Sequence, residues 1–240
     1  MSKFERLTFV GGEGLDRALA AIAEQFSSID QYCHFSDLQI EKIRDAASLY
    51  GSETLLKDPQ KFFKEVLSEP RVQENLVHRL PDGAVVDLKY RSCYQPQSEY
   101  FQSEYENCTE NQLVHARMWR HEGKANGTLI AVHGWTMGDQ RLNSLAFLPG
   151  VFYRLGLDVV LFELPYHGRR APSSQKGTPP LFPSTDLIRT NEAIAQSISD
   201  LRQLKIYLSN SGAERIGCMG MSLGAYITAL WCSLDELEFC

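Results

Sequence analysis

The sequence predicts a three-layer α/β domain over residues 73–240, preceded by a helical extension over residues 1–72. Three observations carry this reading. Apolar residues recur at helical spacing as far as about residue 70 and at strand spacing from Asn75 onward. Segments that read as antiparallel strands then give way to a βα rhythm, as expected where helices cover a partly parallel sheet. Thr128 to His133 and Leu157 to Glu163 are near-continuous apolar runs, which suit parallel strands buried on both faces.

Each element has its own signal. Leu15, Ala18, Leu19 and Ile22 share one helical face. Ser36-Asp37 can start a second helix through Ile40, Ile43 and Ala47, and Asp58-Pro59 ahead of Phe62, Phe63 and Val66 suggests a third. Nothing in these helices carries chemistry; they read as packing, or as a cover over the main domain. Asn75–Leu80, the turn Pro81-Asp82-Gly83 and Ala84–Tyr90 form a hairpin. Residues 93–111 are polar and tyrosine-rich and read as an irregular excursion. Leu113–Trp119 is a further strand, and Asn126-Gly127 turns the chain into the Thr128 run.

A helix around Leu145–Leu155, interrupted at Pro149-Gly150, leads to the Leu157 strand. A Pro- and Gly-rich loop follows over roughly residues 165–184. The helix Asp186–Leu208 is capped by Ser184 or Thr185 and buries Ile188, Ala193, Ile194, Ile198, Leu201, Leu204 and Leu208. Arg215–Met219 is a short buried strand, and Leu223–Cys232 a helix.

Composition narrows the function classes. The 240 residues are 43% hydrophobic, enough for one sizeable core. A formal net charge of -6, from 24 Lys+Arg against 30 Asp+Glu, disfavours nucleic acid or an anionic membrane as the main partner. The start, Met1 to Arg6, does not read as a signal peptide, and no apolar stretch reaches the ~18–20 residues of a membrane span. The six cysteines, at 33, 93, 108, 218, 232 and 240, show neither a disulfide framework nor a zinc pattern. They read as free thiols, which makes the cytoplasm the default location. No cofactor or metal is implied.

Three strand ends carry the candidate chemistry. Gly220-Met221-Ser222-Leu223-Gly224 is a GxSxG pattern between a buried strand and an apolar helix. That context asks for a sharp turn that lifts the Ser222 hydroxyl above the sheet, with small Gly220 and Gly224 letting strand and helix close around it. The Leu223 N–H, at the helix start, can point at a developing oxyanion. The competing reading is a tight structural turn with an inert serine. His133-Gly134-Trp135 ends the Thr128 strand: Gly134 permits close approach, the Trp135 N–H is a second oxyanion donor, and His133 braces the loop rather than serving as base. Pro165-Tyr166-His167-Gly168-Arg169-Arg170 ends the next strand. Tyr166 and His167 shape that loop or line a pocket, and Arg169 and Arg170 read as a solvated pair. Asp139 is a loop or helix-start residue, too near the Gly134 loop to be a catalytic acid.

With Val132-His133-Gly134-Trp135, Phe162–Arg169 and Gly220–Gly224 in this order, the chain resembles the α/β-hydrolases. Within them it is similar to the poorly characterised α/β-hydrolase-domain proteins of bacteria and eukaryotes that carry a helical N-terminal extension. The resemblance covers roughly residues 74–235. It implies a three-layer α/β-hydrolase sheet, C-terminally incomplete here, with the oxyanion loop at the first motif and the nucleophile elbow at the third.

Hydrolysis through Ser222 needs a base and a carboxylate, and the family order is Ser, then acid, then His. After Ser222 the sequence offers Asp235, Glu236 and Glu238 but no histidine; His34, His78, His115, His121, His133 and His167 all precede it. Ending at Cys240 would also leave Arg215–Met219 as an apolar edge strand, with Leu237–Cys240 the lead-in to another strand. The expectation is the N-terminal portion of a longer serine-dependent hydrolase of ester, thioester or related acyl substrates, with little turnover by this chain alone. A truncated chain completed by a partner chain along that edge, and a non-catalytic binding or interaction protein, are the alternatives. The expected partners are thus a small acyl substrate and whatever covers the edge, with no nucleic acid and no membrane span.

Overall fold

The computed structural model describes residues 37–175 and 179–240, and everything from Lys42 onward belongs to one compact unit. The helix expected around Leu15–Ile22 lies outside the described residues, as does Cys33. Helices α1 (Asp37–Tyr50) and α2 (Glu53–Lys57) precede the hairpin of β1 (Gln73–Leu80) and β2 (Gly83–Arg91). Then come α3 (Glu99–Asn107), β3 (Leu113–His121), β4 (Gly127–Val132), α4 (Gln140–Phe147), α5 (Pro149–Arg154) and β5 (Leu157–Phe162). The final elements are α6 (Leu187–Asn210), β6 (Ile216–Gly220) and α7 (Leu223–Leu234). No described helix is long and apolar enough to cross a membrane.

The six strands form one mixed sheet in the order β1-β2-β3-β5-β4-β6. The first three pair antiparallel, β3 meets β5 antiparallel, and β5, β4 and β6 run parallel. Gly83 faces Leu80, so Pro81-Asp82 is the two-residue hairpin loop. The apolar runs behave as their composition dictates: every residue of β4 is buried. Alternation along β5 feeds two separate cores, because successive side chains leave opposite faces. Val160 and Phe162 pack with Ile198, Leu201, Leu204, Ile227 and Trp231 of α6 and α7. Val159 and Leu161 instead meet Phe147 of α4, with Phe152 of α5 packed beside them. Those are the three layers.

Several boundaries differ from the sequence reading. The segment expected to be irregular contains α3, whose Phe101 and Tyr105 sit one turn apart and are buried. Two aromatic positions in a polar helix make too short a pattern to detect. The helix expected from Leu145 starts at Gln140, with the Asp139 carboxylate accepting from the Arg141 N–H at 2.7 Å. Buried Gln140 and Asn143 occupy its inner face, so the apolar period begins late. Leu148, at φ 47°, separates α4 from α5. Asp186, rather than Ser184 or Thr185, caps α6, accepting from the Arg189 N–H at 2.9 Å.

The third N-terminal helix, expected from Asp58-Pro59 onward, is reduced to a single 3-10 turn, Pro59–Lys61, and α2 ends before it. The carbonyls of Phe63 and Lys64 are taken by the Arg202 guanidinium instead of by helical N–H groups. Beside β6, Phe239 forms a parallel bridge to Gly217; its carbonyl accepts from the Cys218 N–H at 3.1 Å. Leu237–Cys240 therefore does begin strand-like pairing along that edge.

Candidate active site

Ser222 sits between the end of β6 and the first turn of α7, with φ 53° and ψ -116°. A non-glycine residue held there is strained, and such strain persists only where the surroundings over-determine it. The two flanking glycines show how. A Cβ on Gly224 would lie 2.0 Å from the Val132 carbonyl oxygen, and one on Gly220 would lie 2.3 Å from the Gly224 oxygen. Only glycine lets α7 start this close to β4 and β6. Ser222 is exposed, and its carbonyl accepts from the Tyr226 N–H at 3.1 Å. Leu223 is the first helical residue, where a helix has no internal acceptor for the N–H.

The loop after β4 lies against this turn. A Cβ on Gly134 would be 3.3 Å from the Ser222 Cβ and 3.3 Å from the Met221 carbonyl oxygen. Gly134 to Met137 closes as a turn through the Met137 N–H and the Gly134 carbonyl at 3.3 Å, with Thr136 at φ 63°. Trp135 thereby occupies the first central position of a turn beside Ser222. His133 is fully buried. Its Nδ1 donates to the Gly134 carbonyl at 2.8 Å, and its Nε2 accepts from the Leu164 N–H at 3.1 Å. Both nitrogens are spent on bracing one loop against the next.

That next loop, residues 163–170, is built from the inside. Gly138 and Gly168 meet backbone to backbone: a Cβ on Gly138 would lie 2.7 Å from the Gly168 nitrogen. Tyr166, at φ 61°, and His167 are both fully buried, so they shape the loop and line no open pocket. Of the arginine pair expected to be solvated, Arg169 is exposed and Arg170 is not. Arg170 has no exposed side-chain surface and binds Asp200 at 2.7 Å and the carbonyls of Glu163 and Asn111. Arg169 bridges buried Glu163, at 2.7 Å, to Asp87 at 3.1 Å. Glu163 also accepts from Gln140 Nε2 at 2.7 Å. Burial of Arg170 and of Glu163 is tolerated because each meets an opposite charge. Short motifs could not reveal this, since Asp200 and Asp87 come from distant elements.

The histidines divide by position. His121 Nδ1 and Asp158 Oδ1 are 2.8 Å apart, a pairing that resembles half of a catalytic triad. The register places it at the wrong end of the sheet: Asp158 is level with Thr128 and thus with Ile216. β6 runs from Ile216 to Gly220, roughly 13 Å along the strand direction, before the chain reaches the Ser222 turn. A groove of about 920 Å³ lined by Arg79, His121, Lys124 and Asp158 opens at that same far end. His115 lies on β3, separated from β6 by β5 and β4. His167 Nδ1 donates to the Pro165 carbonyl at 2.8 Å, and its ring is 5.0 Å from that of His133. Burial pushes the His133 imidazole down to about 4 and that of His167 to about 3. Both are neutral at physiological pH and are weak bases. Asp235, one of the acids after Ser222, is held by Arg202 at 2.7 Å and by the Trp231 indole at 2.8 Å. Among the described residues no three His, Cys, Asp or Glu side chains are grouped to hold a metal ion.

An elbow at the carboxyl end of a parallel strand, under a mixed sheet covered on both faces, defines the α/β-hydrolase fold, and the chain has it. Solved structures with this arrangement include an acetyl xylan esterase from Paenibacillus sp. R4, 15% identical, with a TM-score of 0.52 over 76% of this chain and 55% of that one. A Bacteroides fragilis protein assigned to the acetyl xylan esterases matches 87% of this chain and 60% of its own, at 11% identity and a TM-score of 0.53. No family model matches the sequence. Among curated proteins, the uncharacterised protein Rv2627c of Mycobacterium tuberculosis H37Rv is 29% identical over 201 residues, 82% of this chain and 47% of its own length. The protein MT2702 of strain CDC 1551 matches to the same extent. The chain spans about half the length of the curated relatives it matches.

Proposed function

We propose that Ser222 is the nucleophile of a hydrolase acting on ester, thioester or related acyl substrates. The observation that carries the reading is the strained Ser222 backbone at the β6–α7 junction, with the Gly134 turn packed against it. The esterase assignments of the structural neighbours agree with it. Ser222 Oγ would attack the acyl carbonyl while a base takes its proton, and the oxyanion would be held by the Leu223 and Trp135 N–H groups. Collapse expels the alcohol or thiol, and water then releases the acid from the acyl-serine. His133, Gly134, Tyr166, His167, Gly220 and Gly224 hold this frame in place. Each oxyanion donor contributes about 3–4 kcal/mol where such donors have been removed.

The base and its orienting carboxylate are assigned in this proposal to sequence following residue 240, or to a partner chain along the β6 edge. Support comes from the tethering of His133 and His167 and from the remoteness of His121 and His115. On this reading the 240-residue chain turns over little substrate by itself. The unbridged thiols at Cys93, Cys108, Cys218, Cys232 and Cys240 favour a cytoplasmic setting. A non-catalytic binding role is the second reading, favoured by the lack of any imidazole directed at Ser222 among the described residues. Hydrolysis of p-nitrophenyl acetate by the full-length protein separates the two. Turnover that falls by about 10⁴-fold or more in Ser222→Ala supports the enzyme; equal rates in both proteins refute it.

A further inference from the structure

Cysteines are not scattered evenly around the elbow. Cys218 is buried on β6, the strand that leads into Ser222, and Cys232 is half-buried near the end of α7, the helix that Ser222 opens. Their sulfurs are 3.5 Å apart. A disulfide bond is about 2.05 Å long, so bonding requires the two sulfurs to close a further gap of roughly 1.5 Å. The exposed Cys240 thiol also lies near enough to Cys232 to act on it electrostatically. Cys93, by contrast, faces the Ser199 hydroxyl at 3.5 Å.

We propose that Cys218 and Cys232 are a reversible disulfide site that ties β6 to α7 behind the Ser222 turn. The oxidant is a low-molecular-weight disulfide. The Cys232 thiolate attacks one of its sulfurs, expels one small thiol and carries the other half as a mixed disulfide. The Cys218 thiolate then attacks the Cys232 sulfur and expels the second small thiol. Two protein thiols lose two protons and two electrons in all, and the small disulfide becomes two thiols. A thiol reductant reverses both steps. The bond would join the two elements whose close approach fixes the strained serine, and it stands whether or not Ser222 is catalytic.

Incubation of the folded protein with glutathione disulfide, alkylation of remaining thiols and non-reducing peptide mapping test this directly. The expected product is a Cys218–Cys232 crosslink, formed equally in Cys240→Ser, absent in Cys232→Ser and removed by dithiothreitol. Wild-type mapping suffices if a core variant folds poorly. A glutathione adduct that stays on Cys232, a Cys232–Cys240 crosslink in its place, or no oxidation of either thiol would overturn the proposal.

Discussion

Gly134 and Ser222 pack against each other across the candidate site, close enough that a methyl group at position 134 would sit 3.3 Å from the serine Cβ. Their elements, the ends of β4 and β6, are neighbours in the sheet. Gly134→Ala therefore meets a tight but yielding contact, displacing the turn that carries Trp135. Reactivity of Ser222 should fall at least tenfold, with loss of stability of about 1 kcal/mol or less. Gly224→Ala differs because its Cβ would collide with backbone at 2.0 Å. That variant should lose several kcal/mol of stability in urea unfolding. Equal behaviour of the two variants would contradict the packing described.

The Arg170–Asp200 pair is fully buried, and Asp200 also accepts from the Ser92 hydroxyl at 2.5 Å. Removing one partner leaves an uncompensated charge in the core. Arg170→Met alone should cost about 3–5 kcal/mol in urea unfolding, and adding Asp200→Leu should recover much of it. Additive losses would show that the two side chains act independently.

Glu192 joins three segments: its carboxylate accepts from the Tyr50 and Tyr94 hydroxyls at 2.7 and 2.6 Å and from the Gln97 and Ser98 N–H groups. Glu192→Gln turns one acceptor into a donor facing donors. A loss of about 2–3 kcal/mol is expected, together with faster amide exchange in α3, which follows this segment. A change below about 0.5 kcal/mol would remove Glu192 from any anchoring role.

Buried neutral histidines give stability a pH dependence with a definite sign. Burial lowers His133 from 6.5 to about 4 and His167 from 6.5 to about 3. Between those values and 6.5 the unfolded chain binds protons that the folded chain refuses, so stability is full above pH 6.5 and falls as pH drops. Each imidazole contributes about 1.4 kcal/mol per pH unit in that window. Urea midpoints measured from pH 7.5 to 4.5 should show this slope, and His167→Gln should flatten it by one proton. An unchanged slope in the variant would mean that His167 is protonated in the folded state.

Much of the fold was legible because its signals are local. The apolar runs of β4 and β5, the Asn126-Gly127 turn and the glycines around Ser222 each state a backbone requirement in a few residues. The Ser222 turn and the Gly134 loop were legible for the same reason. What stayed hidden depends on partners far apart in the chain. Arg170 read as solvated because nothing near it announces Asp200, and α3 was missed because Glu192, which holds the segment just before it, lies on α6. The inner face of α4 hid its start, since Gln140 and Asn143 do there what apolar residues usually do.

The central claim is that the strained serine at the β6–α7 junction is the reactive group. Treating the full-length protein with a fluorophosphonate probe and mapping the adduct by peptide mass measures this most directly. Modification on Ser222, absent from Ser222→Ala, is the expected result. An adduct on another residue, or equal labelling of the alanine variant, would contradict it.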